Sequence, residues 1–219
     1  VLLYGQDIHS NNTPCGPAPL LPVGEFFGTF HPTVGSPDRI HRVRLGVEVW
    51  ELDDQRFTLW ALAHGAGAQL AEQPWTLAAV REAAVRLLPG VDTGPLLDGL
   101  IAEGLLVEVA PAEAVEFARR HRVGARLLGL GNSAEEPWLW SIGFFERPMV
   151  KVTRTVFDLW ERAPAGESLW AICQALAAEE RAANATDPDL FDPERMLTAF
   201  LREIHQLLVA GVIYLEPLP

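Results

Sequence analysis

The sequence predicts an α+β fold: two similar units in tandem, each a small antiparallel sheet with three helices, behind an irregular N-terminal arm. Three observations predict it. Short runs with strand-like alternation flank longer runs with helical apolar spacing. The order strand, three helices, strand occurs twice. Residues 1–42 carry Pro14, Pro17, Pro19, Pro22, Pro32 and Pro37, with Gly16, Gly24, Gly28 and Gly35, which break helices and strand ladders.

The arm is too apolar for a free linker: Leu20, Leu21, Val23, Phe26, Phe27 and Phe30 need cover, either from their own domain or from a partner. Regular structure then begins. Val43–Trp50 alternates with a period of two and reads as one half-buried strand. Asp53 is placed as an N-cap for a short helix carrying Phe57, Leu59, Trp60 and Leu62, which stops at Gly65. Thr76 caps a second helix with Val80, Ala84, Leu87 and Leu88, ended by Pro89-Gly90. Leu96, Leu97, Leu100 and Ile101 mark a third, closed by Gly104, and Leu105–Val109 is a strand. Further on, Trp138–Phe145 and Met149–Val152 read as strands. Thr153 stands at a cap position before Phe157, Leu159 and Trp160. Leu169, Ile172, Cys173 and Leu176 mark another helix. Asp192-Pro193-Glu194 starts the last, with Met196, Leu197, Phe200, Leu201, Ile204, Leu207 and Leu208, before Gly211 and the strand Val212–Leu215.

The halves align. Phe57, Leu59 and Trp60 fall on Phe157, Leu159 and Trp160, and Asp53 falls on Thr153. Leu97, Leu100, Ile101, Gly104 and Leu105 fall on Ile204, Leu207, Leu208, Gly211 and Val212, with an extra segment around Ala183–Pro188 between the two blocks. Each unit has a winged-helix-like order. The divisions are an arm over 1–42, a first unit over 43–118 and a second over 119–219. Trp60 and Trp160 read as core residues and the glycines after the third helices as C-caps, neither as a site.

Composition excludes several classes. Hydrophobic residues are 49% and charged residues 21%, enough apolar content for a real core. Seventeen Lys plus Arg against 29 Asp plus Glu give −12, a charge that a duplex repels; the one short basic run is Arg119-Arg120-His121-Arg122. No apolar run approaches the ~20 residues that span a bilayer, and no signal-peptide pattern is seen. With Cys15 and Cys173 far apart and without metal-type spacing, the expectation is a cytoplasmic protein without a disulfide framework.

The segment MVKVTRTVFDLWERAPAGESLWAICQALA, from Met149, followed by the third helix and GVIYL, resembles the small peptide-chaperone family of pyrroloquinoline quinone biosynthesis. Related units are the leader-peptide recognition domains of enzymes that modify ribosomally made peptides. The likeness covers about a third of the chain directly and two-thirds if the first unit is a divergent copy, and it is a pattern of apolar positions with no catalytic signature. It implies that a precursor's leader peptide adds as a strand to a sheet edge and presses side chains against the third helix. The surface so implied comprises Trp138, Trp140, Ile142 and Phe144 with Leu197, Leu201, Ile204 and Leu208. Burial of Trp140 between the units is the alternative, and Leu45–Trp50 is the second candidate edge. Leu20, Phe26, Phe27 and Phe30 are assigned to docking the modifying enzyme.

No catalytic residue, cofactor or metal site is predicted. None of His9, His31, His41, His64, His121 and His205 stands at a metal spacing, and Asp7 with His9 lies in a loose arm. No phosphate-cradling loop or dinucleotide fingerprint occurs, Gly129-Leu130-Gly131-Asn132 being two glycines before a turn, and no serine sits on a nucleophile elbow. Cys173 reads as packing. The expected function is therefore non-catalytic binding of a precursor peptide and its delivery to a modifying enzyme. One alternative is a structural tandem subunit bridging a larger complex. The other, a DNA-binding regulator, is disfavoured because one third helix carries Asp98 and Glu103 with no Lys or Arg, and the other balances Arg195 and Arg202 with Glu194 and Glu203.

Overall fold

The computed structural model describes residues 17–35, 37–65 and 75–219. The first unit runs β1 (Leu20–Pro22), β2 (Glu25–Phe30), β3 (Ile40–Leu45), β4 (Glu48–Leu52), α1 (Asp54–Leu62), α2 (Leu77–Leu87), α3 (Thr93–Ala102) and β5 (Leu106–Glu108). Helix α4 (Ala114–Arg120) leads to the second: β6 (His121–Ala125), β7 (Leu128–Gly131), β8 (Trp140–Phe144), β9 (Arg147–Val152), α5 (Arg154–Arg162), α6 (Leu169–Ala182), α7 (Pro188–Phe191), α8 (Pro193–Val209) and β10 (Ile213–Pro217). Each unit holds a three-stranded antiparallel sheet, β2–β3–β4 or β7–β8–β9, and a two-stranded antiparallel ribbon, β1–β5 or β10–β6. The fold is thus α+β, with two winged-helix-like units in tandem.

The duplication reaches further than the helices. In the first ribbon Pro22 pairs with Leu106, and in the second Ala125 pairs with Ile213. Beyond each ribbon the same backbone bond follows: Val23 N–H donates to Leu105 O (2.9 Å) and Arg126 N–H to Val212 O (2.8 Å). Next comes a residue with positive φ, Gly24 at 108° and Leu127 at 67°. The strand after it then bulges, between Phe26 and Gly28 in one unit and between Gly129 and Gly131 in the other. Helix α7 lies in the extra segment of the second unit, between the helices equivalent to α2 and α3.

Three sequence readings are corrected. Residues 20–30 are strands of the first unit, so the irregular arm does not extend to residue 42. Pro19 and Pro22 bracket a three-residue strand that pairs with β5, a length that prolines at its margins tolerate. Residues 43–50 are two strands of a hairpin turning at Gly46-Val47, because alternation alone cannot locate a two-residue turn. In the second unit β6 and β7 precede β8, and β7 reads Leu-Gly-Leu-Gly, a composition with little strand propensity.

Caps form as the residue types require. Asp53 Oδ1 accepts the Arg56 N–H at 2.8 Å, Thr76 Oγ1 that of Ala79 at 3.2 Å, and Asp192 Oδ1 those of Glu194 and Arg195. Thr153 occupies the cap position of α5 with no side-chain bond. Two cores result. One holds Leu20, Val43, Leu59, Trp60, Leu97 and Leu100; the other holds Val156, Phe157, Trp160, Cys173, Phe200 and Ile204. Strand β1 and the residue after it lie between them: Leu20 belongs to the first core, while Leu21 and Val23 belong to the second. The units are also joined by Gly24 N–H to Leu215 O at 2.8 Å and by buried His205 Nε2 to Leu20 O at 3.0 Å.

Candidate functional site: an open sheet edge and an inter-unit cleft

Strand addition needs a strand with one unpaired side. Strand β8 does not offer one, since β7 and β9 flank it. Ile142 is fully buried on it, and Leu197, Ile204 and Leu208 are buried core residues of α8, with half-buried Leu201 packed against them. Trp140 is half-buried, its ring 4.9 Å from Phe157. Trp138 and Phe144 are exposed, but Trp138 precedes the strand. The predicted peptide surface is therefore mostly interior, because the large apolar residues of β8 and α8 make the second core. The second candidate edge divides likewise: Leu45 ends central β3, whereas Val49 and Trp50 stand on edge strand β4.

The docking set also divides. Leu20 is wholly buried, while Phe26, Phe27 and Phe30 are 39%, 51% and 42% exposed on β2. Among the described residues the edges of the two three-stranded sheets are β2, β4, β7 and β9. Three carry features that discourage pairing: Pro148 and Lys151 on β9, Glu48 and Glu51 on β4, and two glycines in four-residue β7. Strand β2 bulges between Phe26 and Gly28 but holds no lysine or proline, and it presents Phe26, Phe27 and Phe30. Its entry is closed by the bridge between Gly24 and Leu215, so the open length runs from Phe26 to Phe30.

Aromatic contacts anchor β2. Phe26 lies 4.9 Å from Phe57, His41 stacks on Phe57 at 3.9 Å, and Trp60 meets Phe57 at 6.0 Å and His64 at 4.5 Å. The Arg42 guanidinium sits 4.5 Å from the Phe30 ring and that of Arg44 5.0 Å from Phe27. Thr29 Oγ1 is 3.0 Å from His41 Nδ1, and His41 Nε2 is 2.8 Å from Asp54 Oδ1. Arg39 shares that oxygen at 2.6 Å, and the bonds from Arg39 and then His41 hold the Asp54 carboxyl below its ordinary range. This hydroxyl–imidazole–carboxylate chain ties β2 and β3 to the start of α1. Neither cleft described next is lined by its members.

Two clefts open between the units. One, of about 660 Å³, lies between the β3–β4 turn and the β6–β10 ribbon; its Arg122 and Glu216 pair with each other at 2.6 Å. The other, of about 320 Å³, borders β2 and is lined by Phe26, Phe57, Trp60, His64, Tyr214 and Arg126, with Leu208, Val209 and Ile213 on the α8–β10 side. Arg126 bonds Glu25 at 2.8 Å and lies 4.9 Å from the Tyr214 ring. Burial lowers the His64 pKa to about 4 against the opposing bond to Trp60 O, so its imidazole is neutral at pH 7. Nothing in the sequence points to this cleft, whose walls come from four separate segments.

Asp7, His9 and Cys15 lie outside the described residues. Among the described residues no three His, Cys, Asp or Glu side chains gather as a metal site, and no helix is long and apolar enough to cross a membrane. Cys173 is fully buried, and burial pushes its thiol up to about 12. Comparisons with protein-family models, with curated proteins and with solved structures found no match to the chain.

Proposed function

We propose that the protein binds an extended segment of a precursor peptide by strand addition along β2 and holds it for a peptide-modifying enzyme, without supplying chemistry itself. The observation that carries this reading is the open β2 edge with three exposed phenylalanines. An unpaired apolar edge is a template for another strand, and left uncovered it promotes aggregation. Backbone bonds then supply pairing, and the alternate faces of β2, one against Phe57 and one under Arg42 and Arg44, supply selectivity. The likeness of residues 149–177 and the third helix to the peptide-chaperone family points the same way. Holding the peptide near an enzyme raises its effective concentration there without any catalytic group on the carrier.

A phage-displayed library of random twelve-residue peptides tests this. Enriched peptides are expected to slow amide exchange at residues 26–30, and the double variant Phe27→Ser, Phe30→Ser to weaken them at least tenfold. Protection confined to β4, β7 or β9, or no enrichment, overturns the assignment to β2.

A further inference from the structure

We infer that the 320 Å³ cleft between the units is a specificity pocket for one aromatic side chain of the bound peptide. This rests on the strand-addition reading and adds to it which residue type the peptide must carry. The cleft begins at Gly24 and Phe26, where the open part of β2 starts. A strand laid along β2 turns alternate side chains to opposite faces. On the face of β2 that Phe26 shares with Phe57, a side chain from the first open position reaches the cleft.

The lining names the chemistry. Phe26, Phe57, Trp60 and Tyr214 supply aromatic walls, which favour tilted and edge contacts with another ring. The volume is at the small end of the about 300–1,000 Å³ usual for ligand pockets, so it suits one ring system rather than a length of chain. The polar groups are few. Arg126 is already engaged by Glu25. Neutral His64 bonds Trp60 O through Nδ1, and no bond to its Nε2 occurs among the described residues. An ammonium side chain has no open counter-charge here, and Arg126 shares the one Glu25 carboxylate with Arg44. An indole meets apolar walls, and the His64 Nε2 lone pair is available to its N–H.

Methyl NMR with indole as the probe, and binding of two threonine-rich twelve-residue peptides, one with a central tryptophan and one with alanine there, test the inference. Indole should shift the methyl signals of Leu208 and Ile213, and the tryptophan peptide should bind at least tenfold tighter. Val209→Trp at the rim and Ala61→Phe on the facing wall, each shown folded by circular dichroism, should bring the two peptides within twofold. Equal binding of both peptides to the wild-type chain, or unmoved methyl signals with indole, overturns the pocket. Indole shifts with no binding of either peptide support the aromatic pocket and overturn the strand reading. The wild-type comparison decides even if both filled variants fail to fold.

Discussion

Three tryptophans at the residue scale show how one side chain takes different costs from its partners. Trp60 Nε1 donates to Val23 O and Trp160 Nε1 to Val212 O, each at 3.1 Å. Val212 O also accepts from Arg126 N–H, whereas no other bond to Val23 O occurs among the described residues. The Trp50 indole N–H is buried with no partner. Removing a donor from a buried carbonyl costs the desolvation of that carbonyl, while removing an orphan donor relieves a cost. Trp60→Phe should therefore destabilise most, by about 2–3 kcal/mol, Trp160→Phe by about 1 kcal/mol, and Trp50→Phe least, in urea unfolding. A larger loss for Trp50→Phe than for Trp60→Phe would contradict the bonding pattern. The histidines make a second prediction at this scale. Burial lowers the pKa of His64, His121 and His205, so the unfolded chain takes up protons that the folded chain refuses. Their contribution is complete above the unfolded value near 6.5 and is lost as pH falls; for His64 the loss levels off only near 4. That interval bounds the His64 effect at about 3 kcal/mol. His64→Gln, whatever it costs at pH 7, should flatten the stability profile between pH 6.5 and 4; an unchanged slope would show that its imidazole titrates normally.

Elements repeat more faithfully in backbone than in sequence. The helices were legible because helical apolar spacing survives divergence: Leu97, Leu100 and Ile101 on α3 match Ile204, Leu207 and Leu208 on α8. The strands at the start of each unit were not. Pro19 and Pro22 on one side, and Gly129 and Gly131 on the other, carry no alternation, and only tertiary pairing makes them strands. The site suffered from the same gap. Trp138–Phe145 looked like an edge because β7 was invisible, while Phe26, Phe27 and Phe30 stood out as too apolar for a free linker but not as a strand. Gly143 tests the second sheet. A Cβ there would meet Arg147 O at 2.3 Å and Met149 N at 2.7 Å, both backbone atoms of β9. Gly143→Ala should cost at least about 1–3 kcal/mol and disturb the β8–β9 register, seen as faster amide exchange in β9. Exchange that is unchanged would mean that the hairpin has room its backbone does not show.

The two copies differ most where they meet, and that difference describes the whole molecule. The first unit seats on the second with Leu21, Val23 and Val109, all in the second core. The equivalent positions in the second unit are Gly124, Arg126 and Glu216. Tyr214 lies over Gly124, Arg126 is tied to Glu25, and Glu216 is tied to Arg122. The acceptor face changes as well. His205 on α8, which bonds Leu20 O, has as its counterpart on α3 the exposed Asp98, paired with Arg81. The face is thus apolar in one copy and charged in the other, the kind of polar outer face that capping repeats carry in longer arrays. Part of the second core is supplied by Leu21, Val23 and Val109 of the first unit, so the pair is expected to open as one cooperative body. Leu21→Ala should then cost about 2–5 kcal/mol, the range for a buried leucine, and should lower amide protection in α1 and α8 together. Protection lost in one helix and kept in the other would mean that the units open independently and that the inter-unit cleft is a contact between separate bodies.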